Sequence, residues 1–148
     1  MYHLVCVNCG ATYPADEIIY NCRKCGHLLA VKYQLDEIAV TKAMWEKRPL
    51  SVWRYRELLP VRVEPVSLQE GGTPLYHLAR LGGEMGLKHL YAKHEGMNPS
   101  GSFKDRGMTV GVSMALQLGK KSVACATLPT ATFPAGRRTT AGIPAFAA

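Results

Sequence analysis

Asn98-Pro99-Ser100-Gly101-Ser102-Phe103-Lys104-Asp105-Arg106-Gly107 is the stretch on which the fold reading turns. Pro-Ser-Gly-Ser is turn chemistry, and the apolar run after it predicts a helix from Ser102 to Leu118. Ser102 and Asp105 stand in a capping-box-like relation at its start, and Gly119 marks its C-terminal end. Just upstream, Leu90-Tyr91-Ala92-Lys93 suits a short strand, and just downstream Ser122-Val123-Ala124-Cys125-Ala126 suits a buried one. Strand, helix, strand is an α/β signature. A further helix is expected over 73–86, with Thr73 as N-cap, Pro74 in the first helical position, Leu75, Leu78, Leu81 and Met85 on one face, and Gly86 at the end.

Lys104 falls in the first turn of the expected helix. The positive end of the helix dipole, with partial burial, favours loss of a proton from such a lysine and makes it a better imine former. The residues alone leave open a solvated surface lysine, a helix-start charge at Asp105, a surface pair at Arg106, a plain strand residue at Lys93 and simple core packing for Phe103.

Toward the N-terminus, Cys6-x-x-Cys9 and Cys22-x-x-Cys25 are two identical pairs, with Gly10 and Gly26 placed to relieve the backbone behind each turn. Four thiolates suit a closed, structural tetrahedral zinc site with no position left for water or substrate. Free or disulfide-bonded cysteines and a redox CxxC are the alternatives. His3 and His27 are expected to be bystanders, and Cys125 ordinary core. A segment of about thirty residues has little core of its own, so the metal would supply much of its stability.

Between these regions, residues 36–65 read as a connector. Asp36 is placed to cap a short helix carrying Ile38, Ala39 and Trp45, and Pro49, Pro60 and Pro65 punctuate the rest of the segment. The expected organisation is a zinc ribbon at 1–33, a helical connector at 34–65 and an α/β domain from 66 to 148. Ile18-Ile19-Tyr20 and Leu28-Leu29-Ala30-Val31 are the β-rich runs of the ribbon.

The net charge of +7 invites a nucleic-acid reading, but Lys and Arg are scattered without a continuous basic stripe or interleaved aromatics. Anionic small-molecule substrates account for the excess equally well. No apolar run approaches the ~20 residues of a membrane helix, and the N-terminus lacks the pattern of a secretory signal. A cytoplasmic protein with no nucleic-acid or membrane partner is expected.

Glu70-Gly71-Gly72-Thr73-Pro74-Leu75, followed by Lys93-His94-Glu95-Gly96-Met97-Asn98-Pro99-Ser100-Gly101-Ser102-Phe103-Lys104-Asp105-Arg106-Gly107, resembles the fold-type II (tryptophan synthase β-like) pyridoxal-phosphate enzyme family. That family includes threonine synthase, threonine dehydratase and cysteine synthase. Phe103 before the lysine, Asp-Arg-Gly after it and the leading zinc ribbon are most similar to the threonine synthase branch. The resemblance implies pyridoxal 5'-phosphate held as an imine on Lys104, with Phe103 and the Asn98-to-Ser102 turn shaping the pocket. It implies conversion of O-phospho-L-homoserine and water to L-threonine and phosphate, in full-length members that are homodimeric. Threonine dehydratase, cysteate synthase and a non-catalytic zinc-ribbon module are the competing readings.

The resemblance lapses after Ala126 and resumes at Ala141-Gly142-Ile143-Pro144-Ala145-Phe146. Where the family has Ser-Thr-Gly-Asn-Thr-Ser, this chain has Thr127-Leu128-Pro129-Thr130-Ala131-Thr132, without the asparagine that contacts the cofactor ring. Residues 127–140 therefore read as a shifted coding frame or a divergent loop. The chain is expected to be an incomplete, inactive form of the family's domain.

Overall fold

A computed structural model describes residues 2–125 and 145–147, the side chains of 124, 125 and 145–147 excepted. The chain forms two compact units, one of residues up to Arg48 with Tyr55–Pro60, the other of Pro49–Arg54 with the residues from Val61 onward.

The first unit is built on a three-stranded antiparallel sheet of β1 (Tyr2–Cys6), β2 (Thr12–Tyr13) and β3 (Leu29–Tyr33), with β1 in the centre. Tyr2 pairs with Tyr33 and Cys6 with Leu29, so the register places the first cysteine pair beside the strand that follows the second. Of the two β-rich runs, 28–31 enters β3, whereas Ile18-Ile19-Tyr20 forms no strand. Asp36 does not cap the connector helix: Leu35–Glu37 is a single 3-10 turn, and α1 (Lys42–Glu46) starts separately at Thr41, whose hydroxyl accepts from the Met44 amide at 3.3 Å. Trp45 packs edge-on against Tyr55 and donates to Glu57, which also receives a two-pronged bond from Arg48 at 2.9 and 2.6 Å.

The second unit contains β4 (Leu75–His77), α2 (Ala79–Glu84), β5 (Tyr91–Lys93), α3 (Asp105–Gln117), β6 (Val123–Cys125) and β7 (Ala145–Ala147). The α/β expectation holds, and β6 pairs in parallel with β7, as a βαβ sheet requires. The expected helix over 73–86 is corrected at its start. Leu75-Tyr76-His77 pairs antiparallel with Tyr91-Ala92-Lys93, and the Pro74 carbonyl accepts from the His94 amide at 3.0 Å. Cross-strand pairing outweighs the local helix signal, leaving only Ala79–Glu84 helical. Its end lies where the sequence placed it: Gly86 is left-handed at φ 70°, and the Leu87 amide reaches back to the Gly82 carbonyl at 2.7 Å. Gly119 closes α3 in the same way, with Lys120 bonded to Ala115 and Gly119 to Leu116.

The buried stripe of α3 is polar. Asp105, Thr109 and Ser113 lie four residues apart and are all buried, Ser113 completely. Their partners include an extended segment that the sheet does not pair: Thr109 donates to the Val66 carbonyl at 2.7 Å, the Val66 amide donates to Ser113 at 2.9 Å, and the Arg62 amide to Gln117 at 2.6 Å. Helix side chains at one-turn spacing thus stand in for a neighbouring strand and satisfy backbone groups that would cost about 1–3 kcal/mol each if buried unpaired. This fixes the azimuth of α3.

The expectations for Ala126, residues 127–140 and the packing of Cys125 lie outside the described residues. Among the described residues no helix is long and apolar enough to cross a membrane.

Candidate functional site

In the first unit the two cysteine turns fold alike. Gly10 donates to the Cys6 carbonyl at 3.1 Å and Gly26 to the Cys22 carbonyl at 2.8 Å, each glycine left-handed, at φ 71° and 76°. Both turns aim their sulfurs at one point: Cys6 and Cys25 Sγ lie 3.4 Å apart, Cys9 and Cys22 Sγ 3.6 Å, and all four within 4.8 Å of one another. A tetrahedron with metal–sulfur bonds of about 2.3 Å has edges of about 3.8 Å, so the donor set fits zinc in kind, number and spacing. His27 bonds the Cys25 carbonyl through Nδ1, and the donor cluster among the described residues consists of the four cysteines.

The thiols differ in their readiness to ionise. Tyr13 accepts a bond from the Arg23 amide and donates its own proton to Cys22 Sγ at 3.2 Å, which holds Cys22 down at about 6. The His27 amide lowers Cys25. Cys9 takes a lowering bond from the Ala11 amide, but the crowding thiols of Cys25, Cys22 and Cys6, with burial, push it up to about 12. Four sulfurs this close cannot all carry charge unaided, and a divalent cation would supply the compensation.

In the second unit Lys104 sits immediately before α3 with its side chain exposed, and Phe103 beside it is 62% exposed. The lysine is thus exposed where partial burial was expected, and of the readings left open for Phe103, core packing is not what the structure shows. Among the described residues the Lys104 ammonium has no hydrogen bond or ion pair, so its nitrogen is open to a carbonyl reagent. The turn below it is fixed. Gly101 is left-handed at φ 77° and donates to the Asn98 carbonyl at 2.8 Å. Asp105, only 5% exposed, accepts from the Ser100 amide at 2.7 Å and from the Ser100 hydroxyl. The capping relation therefore closes on Ser100 rather than on Ser102, whose hydroxyl accepts instead from the Lys104 amide at 3.3 Å.

A second group of residues, of which only Asn98 belonged to the expected site, converges behind the turn. Arg106 grips Glu95 with two bonds, at 2.6 and 2.8 Å, and reaches the Thr73 hydroxyl at 3.1 Å. Thr73 donates to Glu95 at 2.7 Å, the Asn98 amide donates to the Glu95 carbonyl at 2.8 Å and to its carboxylate at 3.1 Å, and Asn98 Oδ1 accepts from the Gly71 amide at 2.9 Å. Lys93 donates to the Thr73 carbonyl. The motifs at 70–75 and 93–107 are thus one cluster in space: Arg106 makes a half-buried pair with Glu95, and Lys93, an exposed residue of β5, adds one bond to it. An arginine and a glutamate inside otherwise turn-forming motifs were the signal that could have revealed it.

Arg106 above all, then Thr73 and Asn98, hold the Glu95 carboxyl at about 2 instead of 4.5. Because the folded value is the lower one, the contribution of this carboxylate is complete above about 4.5 and is lost as pH falls through about 2. A carbon-13 titration of the Glu95 carboxyl is expected to show its midpoint near 2, and a midpoint near 4.5 would show that the pairing is absent in solution.

Residues 66–128 match the pyridoxal-phosphate dependent enzyme family. The chain is 58% identical over 126 residues to a threonine synthase of Methanosarcina acetivorans, covering 85% of this chain and 31% of that protein. It is 55% identical over 125 residues to a threonine synthase of Methanocaldococcus jannaschii, covering 82% and 31%. A threonine synthase of Mycobacterium leprae is 51% identical over 74 residues, covering 49% and 20%. The chain thus spans about a third of the length of the two archaeal relatives.

Proposed function

Because this chain belongs to the pyridoxal-phosphate-dependent enzyme family, we propose that it supplies the cofactor-bonding lysine and its turn to a threonine synthase, and that a structural zinc site precedes them. The reaction is the conversion of O-phospho-L-homoserine and water to L-threonine and phosphate. The observation that carries the reading is Lys104, without a partner among the described residues, on a turn tied down at Asn98, Ser100, Asp105 and Arg106.

The pyridoxal ring, when bound, supplies the electron sink on which this chemistry depends. The chain's own residues have other tasks. Lys104 would hold the cofactor by its aldehyde carbon through Nζ, and its amine, when not so bonded, would move protons to and from the substrate. Phe103 and the Asn98-to-Ser102 turn flank it. Cys6, Cys9, Cys22 and Cys25 hold zinc and take no part in the reaction, since four sulfurs close its coordination shell.

Exposure of Lys104 and Phe103 means that this chain alone does not exclude water from the site, so it is expected to show no turnover of O-phosphohomoserine. Borohydride reduction in the presence of excess pyridoxal phosphate, followed by peptide mapping, tests the reading. A pyridoxyl group on Lys104, absent from Lys104→Ala, is expected. Bound zinc with no preference for Lys104 would instead indicate a zinc-binding module.

A further inference from the structure

We infer that Glu95 and Arg106 are positioning residues for Lys104: their ion pair, completed by Thr73 and Asn98, sets the direction in which the lysine leaves its turn. This rests on the reading of Lys104 as the cofactor-bonding residue.

Lys104 has no side-chain partner of its own among the described residues, so its aim is set by its backbone. That backbone is held on both sides. Before it, Asn98 is buried and bonds three ways, to the Gly71 amide, the Glu95 carbonyl and the Glu95 carboxylate. After it, Asp105 closes onto Ser100, and Arg106, one residue further, is drawn onto Glu95 and Thr73. Glu95 is the common element, touching Arg106, Thr73 and Asn98 at once.

A planar guanidinium meeting a carboxylate through two parallel bonds fixes orientation as well as distance, which a lysine at 106 cannot do. The pair is also separate from what holds α3 in place. The helix is anchored by Thr109, Ser113 and Gln117 on the segment from Arg62 to Val66, three to eleven residues beyond Arg106. Loosening Glu95 or Arg106 should therefore free the lysine-bearing turn while leaving the helix seated.

Two readouts on the intact chain test this, with E95Q and R106K as variants that preserve shape or charge. Amide exchange of Gly71, which bonds to Asn98, reports the clamp, and that of Val66, which bonds to Ser113, reports the seating of the helix. Borohydride trapping of pyridoxal phosphate reports the share of label on Lys104 relative to the other lysines. A misplaced reacting group loses about 10²-fold for ~1 Å; the Lys104 share is therefore expected to fall at least about tenfold in both variants. Gly71 protection should fall with it, and Val66 protection should stay unchanged.

An unchanged Lys104 share in both variants would overturn the positioning role and leave the lysine reading intact. Loss of Val66 protection together with the Lys104 share would also overturn it, because the pair would then be holding the unit together. Absence of any Lys104 preference in the unmutated chain would sink the cofactor reading, and the positioning role with it.

Discussion

Chelation of the metal is expected to unfold the first unit and leave the second standing. Among the described residues of that unit, the buried apolar side chains are Tyr2, Cys6 and Cys22, and two of these three are proposed ligands. Little hydrophobic burial remains once the sulfurs are released, and a two-residue β2 adds few backbone bonds. Structural zinc in peptides of this size binds with an apparent ~10–16 kcal/mol, more than a small domain's whole stability. Removing it should therefore abolish amide protection across β1 and β3, including the pairing of Cys6 with Leu29. Cys22→Ser should do the same even with zinc present, because the shell is left one thiolate short. The α3 helix, fixed by Thr109 and Ser113 in the other unit, should keep its protection. Persistence of the β1–β3 pairing in the metal-free chain would contradict a structural role for the metal.

Gly72→Ala is expected to be among the most damaging single substitutions in the second unit. Gly72 sits at φ 63°, and a Cβ there would overlap the Leu50 carbonyl oxygen and lie 3.2 Å from its carbon. Backbone cannot rotate aside as a side chain would. Left-handed strain of about 1–2 kcal/mol adds to an overlap cost of about 1–3, giving roughly 2–5 kcal/mol in all. Gly10 offers the contrast: its φ is 71°, but among the described residues nothing lies within 4 Å of an added Cβ, so Gly10→Ala should lose only about 1–2 kcal/mol. The displacement at Gly72 would also move Thr73 away from Glu95 and Arg106, coupling the damage to the lysine turn. Urea midpoints for the two variants separate the cases, and equal losses would contradict the steric account.

The four-cysteine cluster was legible because its spacing is local: each CxxC turn with its glycine determines its own geometry, and only the meeting of the two turns required the fold. Lys104 was picked out as a candidate for a similar reason, being carried by one contiguous motif. The strand at Leu75–His77 was not, because Thr73-Pro74 and the leucine spacing favour a helix locally, and the deciding partner is the distant strand Tyr91–Lys93. The cluster of Glu95, Arg106 and Thr73 was missed because Thr73 is 22 residues from Glu95 and 33 from Arg106. Nor does hydrophobic periodicity announce a buried stripe made of Asp105, Thr109 and Ser113, since it registers apolar faces and this one holds its neighbour by hydrogen bonds.

The central claim is that this stretch of chain performs the lysine-bearing part of a threonine synthase. A chimera in which residues 2–125 replace the matching stretch of the Methanosarcina acetivorans relative tests it most directly, by the rate at which O-phosphohomoserine is converted to threonine. The chimera is expected to make threonine, and its Lys104→Ala form to lose roughly 10³-fold or more of that rate. A folded chimera without turnover, or one whose turnover survives Lys104→Ala, would contradict the claim.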